Sequence, residues 1–271
     1  MRNFTIKNLS LRLIIKSMQI DIDGLLVNYK EFNPEQNETL VILHGWASSL
    51  RYWIPVSRLL SKNVRIILLD LPGFGDTPPV DNTPDIPEYI EFVRKFCHHL
   101  ILHKFILAGH SFGGQIALDY ALKYPQDLKS IILMAPAAIL KKDKALNLKV
   151  KIADRIKPTL SNPTHALLEQ AVGWHTPDEY QNSNGYQKDV LQKIITYDLE
   201  PSLSKVSVPT DIIWGNLDIV VPNHGEYMAK QIPGSRLHII PGANHLLNLT
   251  HTQELARIIN RIIKNDSSTG P

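Results

Sequence analysis

Residues 107–120 read LAGHSFGGQIALDY, and this stretch changes character at its centre. An apolar segment leads into Gly109-His110-Ser111-Phe112-Gly113, a G-x-S-x-G sequence, and a helical pattern follows. Ser111 is either a nucleophile exposed on a tight turn or a small residue at a crowded crossing of two elements. Small residues suit both interpretations, so the choice depends on which partners the rest of the chain supplies.

Outward from this stretch, short apolar runs alternate with helical patterns. The segment from Met18 to Tyr29 predicts a hairpin that turns at Asp23-Gly24. Six runs rich in Val, Ile and Leu then predict buried strands: Thr39–Leu43, Val64–Leu69, Phe105–Ala108, Ser130–Met134, Thr210–Trp214 and Arg236–Ile240. Helical patterns cover Ile86–Leu100, Phe112–Tyr124, Pro222–Gln231 and Leu249–Lys264. This alternation predicts an α/β fold, with a mostly parallel central sheet of about eight strands flanked by helices.

The interval 137–201 breaks the alternation, because it has helical patterns and no convincing strand. The candidate helices there are Lys141–Ile156, Pro163–Val172, Pro177–Tyr180 and Gly185–Tyr197. An insertion of this length between two strands predicts a helical cap after the sixth strand. The predicted organisation is an N-terminal extension (1–16), a core in two parts (17–136 and 202–265), the cap (137–201) and a flexible tail (266–271).

Composition excludes several classes of protein. The chain has 271 residues, 44% hydrophobic and 20% charged, with a formal net charge of +3 and no dense basic run, so nucleic acid is not an expected partner. One cysteine, Cys97, excludes an intrachain disulfide framework and a cysteine-based metal site. In residues 1–16, Arg12 interrupts the apolar run and Lys16 ends it, which predicts a cytoplasmic protein without stable membrane insertion. Monomer and dimer both stay open.

Polar residues follow three of the predicted strands. In an open parallel sheet, ligands bind beyond the carboxyl ends of the strands. Ser111 follows the strand that ends at Ala108, Asp218 follows the one that ends at Trp214, and His245 follows the last strand. A parallel sheet would bring all three residues to the same edge.

Five short sequences in these turns, HGW, DLPGFG, GHSFGG, WGNLD and PGANH, resemble the α/β-hydrolase superfamily over roughly residues 18–264. HGW followed by DLPGFG is similar to small serine carboxylesterases, the pimeloyl-carrier-protein methyl ester esterases among them. The resemblance implies a nucleophile, an acid and a histidine in that order along the chain, here Ser111, Asp218 and His245. It also implies an oxyanion hole formed by the backbone N–H groups of Trp46 and Phe112.

Chemistry supports the same assignment. A serine hydroxyl is a poor nucleophile unless a base lies beside it. Among the eleven histidines only His245 lies in a short loop directly after the last strand, so it is the predicted general base. Asp218 is the predicted acid that orients the imidazole, although a turn aspartate that caps a helix is the competing interpretation. Asp198 is a weaker alternative for the acid.

The expected substrate is a small ester-like molecule with a medium acyl chain or an aromatic group. Its predicted pocket is apolar and is lined by Trp46, Phe112, Ile139, Leu140, Trp174, Val220 and Leu246. No metal ion or organic cofactor is implied, because the chain itself supplies the nucleophile, the base and the oxyanion donors.

Several activities fit this set of residues. Hydrolysis of an ester, thioester or lactone is the main hypothesis. Carbon–carbon bond hydrolases and cofactor-free perhydrolases use the same triad and remain alternatives. A non-catalytic ligand-binding protein on a hydrolase scaffold is the hypothesis from a different class.

Overall fold

The computed structural model describes residues 18–139, 183–221 and 224–267. The predicted N-terminal extension lies outside these residues. So do the predicted cap helices over Lys141–Ile156, Pro163–Val172 and Pro177–Tyr180.

Eight strands form one sheet in the order β1-β2-β4-β3-β5-β6-β7-β8. The strands are β1 (Met18–Ile22), β2 (Leu25–Phe32), β3 (Thr39–Leu43), β4 (Arg65–Leu69), β5 (Phe105–His110), β6 (Leu128–Met134), β7 (Thr210–Gly215) and β8 (Arg236–Ile240). The β1–β2 and β2–β4 pairs are antiparallel, and every other pair is parallel. The predicted fold class is confirmed.

The opening hairpin turns where the sequence predicts it. Ile22 pairs with Leu25 across a two-residue turn of Asp23 and Gly24, whose φ angles are 54° and 87°. Two positive φ angles in a two-residue turn are typical of the turn type that matches the twist of paired strands. The hairpin therefore adds its two antiparallel strands at one edge of an otherwise parallel sheet.

The described residues contain seven α-helices. They are α1 (Ile54–Ser57), α2 (Ile86–His99), α3 (Phe112–Lys123), α4 (Gly185–Ile194), α5 (Gly225–Gln231), α6 (Leu247–Thr250) and α7 (Thr252–Ser267). None of the helices in this part of the chain is long and apolar enough to cross a membrane. Between β6 and β7 the described residues contain no strand, as the sequence predicts, and α4 ends three residues before the predicted Tyr197.

Helix α2 begins with a capping box. The Asp85 side chain accepts a hydrogen bond from the Glu88 backbone N–H, and the Glu88 side chain accepts one from the Asp85 N–H. These two bonds satisfy backbone donors that the first turn of a helix leaves free. Further along α2 lies Cys97, which is fully buried, and burial raises the pKa of its thiol.

The predicted last helix, Leu249–Lys264, is divided in the structure. Helix α6 ends at Thr250, and His251 has φ −130° and ψ 39° before α7 begins. The hydroxyl groups of Thr250 and Thr252 donate to the carbonyl oxygens of Leu246 and Asn248, four residues back. Threonine side chains that compete for helix carbonyls in this way favour bends and breaks, which apolar periodicity alone does not reveal.

A buried carboxylate joins the last two strands. Asp211 on β7 accepts two hydrogen bonds from Arg236 on β8, at 2.9 and 2.6 Å, and lies 2.6 Å from Nε2 of His238. Burial opposes the charged form of Asp211, but the bonds from His238 and Arg236 outweigh it and lower the pKa of the carboxyl group. This group therefore stabilises the fold in its ionised state.

We expect Asp211→Asn to lower the free energy of unfolding at pH 7 by about 1–3 kcal/mol, because Arg236 loses its counter-charge. The half-exposed side chain of Arg236 keeps the loss in this range of about 1–3 kcal/mol. A lowered pKa means that the stabilisation is complete above the ordinary aspartate pKa of about 3.9 and is lost as the pH falls below it. Urea unfolding at several pH values measures both effects. Asp81→Asn, at an exposed position, is the control, and equal stability of the two variants at pH 7 would contradict the assignment.

Candidate active site

Ser111 lies at the turn from β5 into α3, in a backbone conformation that non-glycine residues rarely adopt. Its φ is 53° and its ψ is −113°. Its N–H donates to the Met134 carbonyl, and its own carbonyl accepts from the N–H groups of Gln115 and Ala137, all at 3.0 Å. Strained backbone persists only where the surroundings fix it, and here the end of β6 and the first turn of α3 do so.

Two glycines allow the chain to approach itself at this turn. A Cβ atom on Gly109 would lie 2.1 Å from the Gly113 carbonyl oxygen. A Cβ on Gly113 would lie 2.5 Å from the Leu43 carbonyl oxygen at the end of β3. Both glycines are therefore required by backbone packing and not by their φ angles. The first turn of α3 is held directly against β3 and β5.

His245 and Asp218 meet beyond the ends of β8 and β7. Nδ1 of His245 lies 2.8 Å from Oδ2 of Asp218, and both residues are buried. A carboxylate only accepts hydrogen bonds, so Nδ1 carries the proton in this contact, and in the neutral tautomer the lone pair is on Nε2. The sequence prediction that these two residues pair is consistent with this contact.

The two carboxylate oxygens of Asp218 have different partners. Oδ1 accepts from the backbone N–H groups of Val220 and Val221, at 2.9 and 3.1 Å, while Oδ2 contacts His245. Asp218 thus orders its own turn and also contacts the imidazole. It does not cap α5, which begins at Gly225 with His224 at the N-cap position. Asp198, the alternative acid, accepts from the Glu200 N–H in another turn.

His110 connects the serine turn with the histidine loop. Its Nε2 donates to the His245 carbonyl oxygen over 2.9 Å, and the centres of the two imidazole rings are 4.8 Å apart. In the sequence His110 is only the residue before Ser111 in the G-x-S-x-G stretch. Its contact with His245 has no signal in local spacing, because the two residues are 135 positions apart.

The loop that follows β3 adjoins the serine turn. A Cβ on Gly45 would lie 3.4 Å from Cβ of Ser111, which places the neighbouring Trp46 beside the site. The backbone N–H of Phe112 belongs to the first turn of α3, where helix donors have no partner within the helix. The Phe112 ring is fully buried and packs edge-on against Tyr89, with the ring centres 5.0 Å apart.

His44 links this loop to the one that follows β4. The Leu71 N–H donates to Nε2 of His44 over 3.0 Å, so the proton is on Nδ1, which donates to the Gly45 carbonyl. Burial lowers the pKa of His44, although the charge of Asp70 partly opposes the shift. His44 is therefore a neutral residue that holds the two loops together.

Asp70 is a buried acceptor that sequence reasoning did not single out. Its carboxylate accepts from the N–H groups of Leu50 and Asp76 and from the amide of Asn28, over 2.6–2.9 Å. A Cβ on Gly75, whose φ is 57°, would lie 2.2 Å from the Asp70 carboxyl carbon. The DLPGFG sequence therefore encodes a loop that wraps around this carboxylate.

The predicted pocket residues are only partly described. Ile139 is buried at the end of the β6 segment, Val220 is half-buried, and Leu246 is partly exposed next to His245. Trp46 is buried, and its indole N–H donates to the Gln187 carbonyl over 2.7 Å. Leu140 and Trp174 lie outside the described residues. The lining of the pocket stays a prediction.

Comparisons with known proteins indicate one family. Residues 38–172 match the family model of the alpha/beta hydrolase fold. Human monoacylglycerol lipase ABHD6 is 25% identical over 253 residues, with 83% of this chain and 75% of the relative covered. The uncharacterized hydrolase YugF of Bacillus subtilis is 28% identical over 251 residues, with 83% and 90% covered.

A solved structure supports the same fold. The thermophilic esterase of Thermogutta terrifontis superposes with a TM-score of 0.69 at 21% identity, covering 93% of this chain and 99% of the esterase. The eight-stranded sheet, the serine turn and these similarities define an enzyme of the hydrolase class. The chain belongs to the α/β-hydrolase superfamily.

The contact between Gly113 and β3 gives a test of the serine turn. Alanine is favoured over glycine by about 1 kcal/mol inside a helix, but at position 113 its Cβ would lie 2.5 Å from a backbone oxygen. We expect the clash to dominate, so Gly113→Ala should lower the free energy of unfolding by at least about 2 kcal/mol in urea titrations. Gly185→Ala in the first turn of α4, with open space around the new Cβ, is the matched control. Equal stability of the two variants would refute the close approach.

Proposed function

We propose that the chain is a serine esterase that cleaves a carboxylic ester, or a thioester or lactone, through an acyl-enzyme on Ser111. The observation that carries this proposal is the 2.8 Å contact between His245 and the Asp218 carboxylate. It leaves Nε2 of His245 able to accept a proton, at the edge of the sheet where Ser111 occupies its strained turn.

In the first half of the proposed reaction, the Ser111 hydroxyl oxygen attacks the substrate carbonyl carbon while Nε2 of His245 takes the hydroxyl proton. The tetrahedral intermediate collapses, and the same nitrogen gives its proton to the departing alkoxide. In the second half, His245 takes a proton from water, which attacks the acyl-enzyme. Release of the carboxylic acid returns the proton to Ser111.

Asp218 acts through His245 and does not touch the substrate. Its carboxylate keeps the imidazole in the required tautomer and stabilises the positive charge that the ring acquires in both halves of the reaction. The bonds from Val220 and Val221 hold the carboxylate in place.

The backbone N–H groups of Phe112 and Trp46 are the proposed donors to the negatively charged oxygen of the intermediate. Removal of one such donor typically costs roughly 2.7–4 kcal/mol of transition-state stabilisation. The supporting observations are the position of Phe112 in the first turn of α3 and the approach of the Gly45 backbone to Ser111, where an added Cβ would lie 3.4 Å from the Ser111 Cβ.

The proposed substrate is a neutral ester with an apolar acyl group. Trp46, Phe112, Ile139, Val220 and Leu246 are all apolar, and these five are the described members of the predicted lining. A monoacylglycerol, the substrate class in the name of the human relative, has such an acyl chain. The closer similarity to pimeloyl-carrier-protein methyl ester esterases stays a prediction, as do the cytoplasmic location and the helical cap over residues 137–201.

Ser111→Ala tests the nucleophile. We expect hydrolysis of p-nitrophenyl esters of several chain lengths to fall at least about a thousandfold, because the hydroxyl that forms the acyl-enzyme is gone. Covalent labelling by a fluorophosphonate, followed by mass spectrometry, should mark Ser111 in the wild type and disappear in the variant. Ser204→Ala, at an exposed position, should change neither result.

Assays of the wild-type protein with other substrates distinguish the proposal from its alternatives. Faster cleavage of dienone diketones than of esters would indicate a carbon–carbon bond hydrolase, and peroxide-dependent peracid formation would indicate a perhydrolase. A wild-type protein with neither turnover nor labelling would be a non-catalytic binder.

Asp218→Asn tests the orienting acid against its alternative. The asparagine oxygen can still accept from Val220 and Val221, but the amide nitrogen cannot accept the Nδ1 proton of His245. We expect kcat to fall by about 10³–10⁴ because the wrong tautomer is favoured, with little change in thermal stability. Asp198→Asn is the matched control. A larger loss in Asp198→Asn than in Asp218→Asn would reverse the assignment.

A further inference from the structure

Helix α4 contacts both loops that surround the proposed oxyanion site. The Gln187 carbonyl oxygen accepts the indole N–H of Trp46 over 2.7 Å. The Gln187 side-chain amide donates to the Gly73 carbonyl oxygen over 3.1 Å. Gln187 therefore joins the loop after β3 to the loop after β4. Both loops are more than 100 positions away from Gln187 in the sequence.

The first turn of α4 is itself held in place. The Asn184 side chain accepts the Gln187 N–H over 2.9 Å and caps the helix. The ring of Tyr186 lies over Gly73, where an added Cβ would come within 2.0 Å of Cε1 of that ring. Gly73 has a φ of 83° and presents bare backbone to the tyrosine. Gln187 is thus positioned by its own helix and by its neighbour Tyr186.

The other end of α4 is attached to the helix that follows the nucleophile. The side-chain amide of Gln115, in the first turn of α3, donates to the carbonyl oxygens of Ile194 and Tyr197, over 3.2 and 2.8 Å. Ile194 is the last residue of α4, where carbonyl oxygens have no partner within the helix, and Tyr197 lies three residues beyond it. The Tyr197 hydroxyl donates to Asp119 on α3 over 2.6 Å.

These contacts make α4 a brace between α3, which carries the Phe112 donor, and the loop that carries the Trp46 donor. An oxyanion hole works only when its donors are held at hydrogen-bond distance from the developing charge. The Phe112 N–H is fixed by α3 itself. The Trp46 N–H lies on a loop, and the bond from its indole to Gln187 fixes the residue at its side-chain end.

We propose that α4 positions the oxyanion loop, with Gln187 as a positioning residue that holds Trp46 through its carbonyl oxygen and the Gly73 loop through its side chain. This inference rests on the proposed function. Gln187 acts through Trp46 and the Gly73 loop, so its effect should appear in the rate of the chemical step and not in substrate affinity.

Gln187→Met tests the side-chain half of this brace, because methionine has similar length and helix preference but donates no hydrogen bond. We expect kcat for a p-nitrophenyl ester to fall about three- to tenfold, the effect of one neutral hydrogen bond. KM should stay within about twofold, since the lost interaction acts in the transition state. Gln192→Met, at an exposed position on the same helix, should match the wild type in both constants.

Trp46→Phe tests the bond to the Gln187 carbonyl oxygen, because it removes the indole N–H and keeps the backbone N–H of residue 46. The same pattern, a lower kcat at similar KM, is expected. The double variant Trp46→Phe/Gln187→Met should lose less than the product of the two single effects if both bonds hold one arrangement of the two loops. Thermal unfolding of every variant separates positioning from loss of the fold.

The result that overturns the proposal is distinct from failure of the esterase function. If wild-type protein hydrolyses esters through Ser111 and Gln187→Met equals Gln192→Met in kcat, α4 does not position the loop. If Gln187→Met raises KM and leaves kcat unchanged, Gln187 contributes to the substrate pocket instead, and the proposal is also wrong. Absence of any Ser111-dependent hydrolysis in the wild type would refute the proposed function itself.

Discussion

At the turn from β5 into α3, backbone segments lie so close together that two positions, Gly109 and Gly113, have no room for a Cβ atom. Gly109, Gly113 and the end of β3 share a space in which a single added methyl group would meet a carbonyl oxygen at 2.1–2.5 Å. This packing holds Ser111 at φ 53°. It also fixes the first turn of α3, which begins directly after the serine. The other parts of the site are arranged around this fixed turn, which itself has no freedom to adjust.

Buried polar contacts attach the histidine loop to that turn and the loops after β3 and β4 to each other. His110 holds the backbone of His245, His44 joins the loops after β3 and β4, and Asp70 gathers donors from three segments. Buried polar groups of this kind are costly when unpaired, so a fully bonded arrangement specifies one geometry. Stability of the loops and geometry of the site therefore depend on the same hydrogen bonds.

The strands, and the positions of Ser111, Asp218 and His245 beyond three of them, could be predicted from the sequence because each depends on local pattern. Apolar runs mark the strands, and a parallel sheet gathers whatever follows them. Asp70, His110 and Gln187 act through partners that are 42, 135 and 141 positions away. No local spacing encodes such contacts, so these residues became visible only in three dimensions. The break at His251 likewise depended on threonine hydroxyl groups and not on periodicity.

The buried thiol of Cys97 has a practical consequence. It is the only cysteine in the sequence, it lies on α2, and its raised pKa keeps it in the unreactive form. A thiol reagent can reach it only when α2 separates from the sheet, so its rate of modification measures how often this side of the core opens. The rate at which Cys97 is modified in the native protein therefore reports conformational fluctuations, independently of any reaction at Ser111.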